Sequence, residues 1–284
     1  MKYLYAGAAL MALAACSGEE TRAPVENAQG NSALADPSAA GETAAGNQAA
    51  GQSSAGNAAD VAIERKDEAL AFKYEWPDEA AAIVPLDTWL RSHAETQYKK
   101  AHTEAENGQK MAAKDEYPFR QYSFDQSWES VADLPSVLVM KSEGYTYTGG
   151  AHGMPFATSL IWDRKAGKRM ATKDLIDTAR LTTSARDNFC KELNRQREEK
   201  RGEKMDPDAK GSIAEFNQCP VMAEQEIIPM SRNKQALDTL RVIIGPYVAG
   251  PYAEGSYDID LPMTPAMIAA INPAYRGWFS TGTP

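Results

Sequence analysis

Two hydrophobic rhythms alternate along this chain from about residue 61 onward, and neither is present before it. Residues 69–76 read as a strand halted by Pro77, which cannot donate to a ladder. Pro85 then stands where a first helical residue belongs, and Leu86, Trp89, Leu90 and His93 fall on one face at helical spacing. This helix is expected to run to about Ala113. Its second half, with Lys99, Lys100, Glu104 and Glu106, is almost wholly polar and so should lie along the surface. Period two returns at Tyr122, Phe124 and Trp128, which share one parity within 119–131, and in 134–143 with its block Val137-Leu138-Val139-Met140. Tyr145 and Tyr147 continue one face until Thr148-Gly149-Gly150-Ala151-His152-Gly153 breaks it, and Phe156, Leu160 and Trp162 resume the alternation. That layout predicts two antiparallel strands joined by a glycine-rich loop, with Lys165-Ala166-Gly167-Lys168 as the next turn.

Beyond Met170 the pattern turns helical. Leu181, Ala185, Phe189 and Leu193 recur every four residues, which predicts a helix over 180–201 ending at Gly202, and Ala209, Ile213 and Phe216 predict another short one. Residues 225–230 and 237–245 read as strands, and Tyr257, Ile259 and Leu261 alternate with Asp258 and Asp260 as in a half-exposed strand. Thr264 and Pro265 sit where an N-cap and first helical residue belong, opening a last helix that Pro273 should terminate. No internal repeat is visible. The fold class expected is α+β, antiparallel sheets with packed helices, in two subdomains over 63–170 and 171–284.

The N-terminus follows different rules. Residues 4–15 form an apolar segment behind Lys2, too short to span a bilayer as a helix and ending in small residues, which is the grammar of an export signal. Leu13-Ala14-Ala15-Cys16 resembles a bacterial lipoprotein lipobox. That resemblance implies cleavage after residue 15 and acylation of Cys16; the competing reading is an ordinary secretory signal with a chance cysteine. Ser17 rather than Asp follows, and by the same resemblance this favours the outer membrane, facing the periplasm. From 17 to about 60 the chain is Ala, Gly, Asn, Ser, Gln and Pro without an apolar period, a disordered tether whose r.m.s. reach is roughly 35 Å. The linker is assigned to 16–62.

Charge removes one class of partner. The chain carries a formal −9, and from residue 61 onward 33 acidic residues face 28 basic ones, so nucleic-acid binding has no electrostatic footing. Apart from Cys16 there are only Cys190 and Cys219, an even pair suited to a disulfide in an oxidising envelope. Closing that loop would contribute roughly 3.5 kcal/mol in the chain-entropy account. Two buried thiols or a metal half-site are the alternatives, although neither neighbourhood offers a histidine or further cysteine at ligand spacing.

Candidate chemistry is sparse. His152, flanked by glycines, could be a general base or a metal ligand, but a base needs an orienting group and a metal needs further ligands. The competing reading, preferred here, is a wide turn in which Gly149, Gly150 and Gly153 take positive φ and His152 bonds local backbone or makes a non-catalytic contact. His93 beside Trp89 and Leu90 reads as a satisfied, partly buried histidine, and His102 as solvated. Asp258 and Asp260 project to one side of a strand, the geometry of paired carboxylates and equally of plain exposed alternation. Lys99-Lys100 and the charges over 195–201 read as solvated helix faces. There is no Gly-x-Ser-x-Gly, His-Glu-x-x-His or Walker loop, no metal site and no cofactor motif, and nothing compels an enzyme.

Tyr145-Thr146-Tyr147-Thr148-Gly149-Gly150-Ala151-His152-Gly153, together with Pro246-Tyr247-Val248-Ala249-Gly250-Pro251-Tyr252-Ala253-Glu254-Gly255 and the strand after it, resembles a known extracytoplasmic region. It is the region shared by the lysozyme-binding anti-sigma factor RsiV and the N-terminal part of the peptidoglycan deacetylase PdaC. The resemblance implies an α+β envelope module that recognises a protein or a glycan. Neither a membrane-spanning segment nor the Thr-Phe-Asp-Asp-Gly and His-x-x-x-His motifs of polysaccharide deacetylases occur here. The expectation is therefore a non-catalytic lipoprotein, touching the membrane only through its lipid, that binds a lysozyme-like hydrolase or peptidoglycan. Tyr147, Thr148, Gly149, Gly150, His152, Gly153, Tyr247 and Tyr252 would form the contact surface. The alternative is a wall-glycan deacetylase or hydrolase using His152 and a carboxylate such as Asp258.

Overall fold

The computed structural model describes residues 61–206 and 214–283. The signal, Cys16, nearly all of the linker and the expected helical positions Ala209 and Ile213 lie outside them, while Phe216 falls in a single 3-10 turn, Glu215–Asn217.

The first sheet has six strands in chain order: β1 (Val61–Lys66), β2 (Leu70–Trp76), β3 (Tyr122–Asp133), β4 (Val137–Tyr147), β5 (Met154–Asp163) and β6 (Lys168–Met170). Between β2 and β3 run a short α1 (Asp78–Ala81) and a 31-residue α2 (Val84–Lys114). The expectation of purely antiparallel sheets needs correcting here, because β2 and β3 are parallel, Leu70 opposite Tyr122 and Phe72 opposite Phe124. A long helix carries the chain back to the starting end of the sheet, so the next strand must run in the same direction. Every other pairing in this sheet is antiparallel. The hydrophobic pattern does not reveal β1, which begins inside the stretch assigned to the linker.

Pleating sends alternate residues to opposite faces of the sheet. On one face Phe72, Tyr74, Trp76, Phe124, Trp128, Leu138, Met140, Leu160 and Trp162 pack under Leu86, Leu90 and Ala94 of α2. Phe72 and Phe124 stack across the parallel pair at 5.2 Å. The second half of α2 is not simply laid along the surface as its polarity implied. Ala105, Gly108 and Ala112 keep a buried stripe, and small residues make that stripe invisible to a search for large apolar ones. His93 is held as expected, between the Tyr74 hydroxyl at 2.8 Å from Nδ1 and Gln97 at 3.1 Å from Nε2, with burial pushing its pKa down. His102 departs from the solvated reading: its Nε2 lies 2.9 Å from the Asp67 carboxylate in the β1–β2 turn.

The other parity of the same strands, Val137, Val139 and Ile161, enters a second core with α3 (Thr172–Leu175), α4 (Thr178–Arg201), a three-stranded antiparallel sheet and α5 (Pro265–Ile268). That sheet is β7 (Glu226–Met230), β8 (Thr239–Ile244) and β9 (Tyr257–Pro262). α4 starts where the Asp177 carboxylate accepts the Arg180 N–H and stops at left-handed Gly202; Leu181, Ala185, Phe189 and Leu193 are all buried. Thr264 caps α5 through the Met267 N–H, but α5 ends at Ile268, and Pro273 opens the 3-10 helix Pro273–Trp278 instead of closing the earlier one. Proline suits a first helical position because its missing N–H would have had no partner there. Cys190 of α4 is bonded to Cys219, with Cα atoms 5.5 Å apart.

Candidate functional site

The β4–β5 hairpin carries the first glycine-rich loop, 148–153. Gly149 and Gly150 have φ of 91° and 83°, a region in which a Cβ collides with the following carbonyl. Two groups hold this turn. The Tyr147 hydroxyl donates to the Gly150 carbonyl at 3.2 Å, and Arg120 Nη1 donates to the same oxygen at 3.1 Å. At the base of the loop the Gly153 N–H donates to the Tyr145 hydroxyl at 2.8 Å.

The second loop, 246–255, joins β8 to β9. Its turn is closed by the Tyr247 N–H on the Gly250 carbonyl at 3.0 Å, and Tyr247 adopts a φ of 66°, uncommon for an aromatic residue. Tyr252 begins the single 3-10 turn Tyr252–Glu254.

The two loops meet through their rings. The Tyr252 hydroxyl donates to the Gly153 carbonyl at 2.9 Å, and the His152 ring stacks on Tyr252 with centroids 3.7 Å apart. His152 Nδ1 lies 3.0 Å from the Gly153 carbonyl and Nε2 lies 3.3 Å from the Tyr247 hydroxyl. A carbonyl only accepts, so Nδ1 carries the proton, and in the neutral ring Nε2 accepts from Tyr247. Around this stack Tyr145, Met154, Tyr247 and Val248 are exposed, Tyr247 at 50%. Tyr147, Thr148, Gly149, Gly150, His152, Gly153, Tyr247 and Tyr252 thus come together in one region, Gly153 alone of them being buried.

No carboxylate is hydrogen-bonded to either nitrogen of His152 among the described residues. Asp258 and Asp260 are committed elsewhere. Arg241 reaches Asp258 at 3.3 Å and grips Asp260 with two bonds of 2.7 and 2.8 Å, while Arg232 adds a further bond to Asp260. Burial raises the Asp258 carboxyl; at Asp260 the same burial is more than offset by Arg241, which holds the group below the usual carboxylate range. Their shared side of the strand therefore serves an ion-pair cluster. Among the described residues no three His, Cys, Asp or Glu side chains are placed to hold a metal ion, and no helix is long and apolar enough to cross a membrane.

The support beneath the second loop comes from residues read beforehand as solvated charge. Arg197 is fully buried, and its guanidinium donates to the carbonyls of Ala249 (3.0 Å), Asn217 (3.2 Å) and Gln218 (2.8 Å) and to Asn194 Oδ1 (2.9 Å). Burial pushes its pKa down to about 10, which leaves it a cation at neutral pH. One turn on, Arg201 pairs with Glu254 at 2.9 Å, and Lys200 donates to the carbonyls of Glu254 and Ser256 at 2.6 Å each. A signal was present: Arg197 and Arg201 continue the four-residue spacing of Leu181, Ala185, Phe189 and Leu193.

Residues 63–155 match the family model described as "Deacetylase PdaC". The match to PdaC runs from β1 into β5, a stretch that includes the 148–153 loop and stops short of 246–255. The chain is also similar to two solved structures of the DUF3298 family. One is from Pseudomonas aeruginosa PAO1, with 15% identity over 76% of this chain and 94% of that one and a TM-score of 0.42. The other is from Bacteroides fragilis, with 15% identity over 78% and 95% and a TM-score of 0.46. At those scores the two likenesses carry no inference about activity. No curated protein matches the chain.

Proposed function

We propose that this protein is a non-catalytic envelope recognition module, tethered through a lipid on Cys16 at the outer membrane, that binds a lysozyme-like hydrolase or the peptidoglycan such an enzyme attacks. One observation carries the reading: two glycine- and tyrosine-rich loops from separate sheets converge on an exposed ring stack whose single histidine has no hydrogen-bonded carboxylate among the described residues. Tyrosine offers rigid amphipathic contact area at low entropic cost, which suits recognition. A general base whose Nδ1–H is held by a backbone carbonyl has no carboxylate to stabilise the imidazolium that forms, and is weakly set for turnover. The Cys190–Cys219 bond agrees with an extracytoplasmic location.

The test measures binding of the protein to immobilised lysozyme and its co-sedimentation with insoluble peptidoglycan, alongside Tyr247→Ala. Retention by either ligand that falls about tenfold or more in the variant supports the surface, since central aromatic anchors dominate interfaces. Absence of binding to both, or wall turnover that disappears in His152→Ala, sinks it, and the second outcome promotes the glycan-modifying alternative. Cys16→Ala is expected to release the protein from the membrane fraction with its fold intact; a variant that stays in the pellet removes the lipid anchor.

A further inference from the structure

The 148–151 stretch also forms one wall of a groove of about 430 Å³, inside the roughly 300–1,000 Å³ span of small-molecule sites. The facing wall is Tyr117, Phe119, Arg120 and Tyr122, with α2 behind it at Gly108. The glycine has a local cause: a Cβ at 108 would overlap the Tyr122 ring, so its absence lets that ring lie against the helix. Phe119 and Tyr122 stack with centroids 5.3 Å apart, and Tyr117 is 47% exposed.

Charge decides what kind of ligand fits. In a chain of net charge −9, no Asp or Glu among the described residues lines this groove, and Arg120 is the one formally charged side chain they place on its walls. Arg120 spends Nη1 on the Gly150 carbonyl and the Tyr147 hydroxyl, and its Nε and Nη2 make no hydrogen bond among the described residues. The backbone N–H groups from Thr148 to Ala151 likewise have no partner there. The groove thus combines flat aromatic surface with surplus donors around a planar cation. A guanidinium matches a carboxylate by paired hydrogen bonds, and aromatic faces take the C–H face of a ring.

We infer that this groove binds a carboxylate-bearing saccharide, the carboxylate on Arg120 and the loop N–H groups, the sugar ring on the Tyr117–Phe119–Tyr122 wall. The groove shares Thr148, Gly149 and Gly150 with the proposed contact surface, but Tyr247 and Tyr252 do not line it. The probes are glucuronic acid, glucose, which has a hydroxymethyl group in place of the carboxylate, and inorganic phosphate, each titrated into the intact protein while backbone amide resonances are followed. Glucuronic acid is expected to shift Gly149 and Gly150 and to bind about tenfold tighter than glucose, the usual scale of one charge-assisted pair. Arg120→Gln should reduce it to the glucose level, and Tyr117→Ala should weaken both sugars. Loss of retention by lysozyme and peptidoglycan with glucuronic acid binding intact would sink the proposed function and leave this inference standing, so the two fail separately. Equal affinity for the two sugars, no shift at Gly149 and Gly150, or phosphate binding as tightly as glucuronic acid would each overturn it.

Discussion

The two loops that meet at His152 solve the same backbone problem in opposite ways. Loop 148–153 turns through positive φ at Gly149 and Gly150, where no side chain resists. It is pinned from outside by Tyr147 and the exposed Arg120. Loop 246–255 ends through positive φ at Gly255 but makes its first turn through positive φ at Tyr247, a bulky residue for which that conformation costs about 1–2 kcal/mol. It is anchored from below by Arg197, Arg201 and Lys200 of α4. The Arg197 guanidinium reaches in the same grip the carbonyls of Asn217 and Gln218, next to the bonded Cys219. The contrast teaches that a strained, ring-bearing turn persists where a buried support over-determines it, whereas a glycine turn can do with light ties.

Removing the support should have the largest effect. Arg197→Met leaves the Asn217 and Gln218 carbonyls without their donor, and Ala249 with only the 3.4 Å bond from Arg201, and is expected to lower unfolding free energy by about 3 kcal/mol or more in urea titrations. Amide exchange should accelerate over 246–255 and change little over 148–153; a loss under about 1 kcal/mol, or equal acceleration in both loops, breaks the comparison.

Next is the disulfide. Its reduction is expected to cost about 2–4 kcal/mol and lower the thermal midpoint, with the second loop again the more affected. Native protein whose Cys190 and Cys219 both alkylate freely would contradict this.

Gly150→Val puts a β-branched side chain at φ 83° and should destabilise by about 1–2 kcal/mol while weakening partner binding. The reverse substitution in the other loop, Tyr247→Gly, relieves strain and should raise stability by a few tenths to about 1 kcal/mol, yet lose the recognition contact. Calorimetry showing Tyr247→Gly destabilised by more than about 1 kcal/mol would mean that the ring's packing outweighs its backbone strain.

The smallest expected effect is on acidification. Burial alone would raise the Glu254 carboxyl, but hydrogen bonds from Arg201 and Tyr257 more than offset it and hold the group below its ordinary range. A carboxylate depressed in the folded state contributes stability above its ordinary pKa and loses it as pH falls through the folded value. Below about pH 4, therefore, exchange protection should decline in 246–255 before 148–153. Simultaneous loss would remove Glu254 as a distinguishing anchor.

Much of this was legible in the chain before any coordinates. The strands around Phe72, Phe124, Val139 and Tyr257 and the α4 stripe from Leu181 to Leu193 follow from periods of two and about four, because side-chain direction along a strand or helix is a local property. The glycine-rich hairpin was readable from glycine's backbone freedom, and the disulfide from an even cysteine pair suited to an oxidising envelope. Tertiary structure alone decided the rest. It made β2 and β3 parallel, buried small residues along the polar half of α2, and turned Arg197 from an apparent surface charge into the anchor of the second loop. It also brought His152 onto Tyr252 across a sequence separation of 100 while committing Asp258 and Asp260 to Arg241. Periodicity tells which way a side chain points relative to its own element; what it meets there depends on how distant elements pack, and the choice among possible partners rests on desolvation and hydrogen-bond geometry that exist only once those elements have come together.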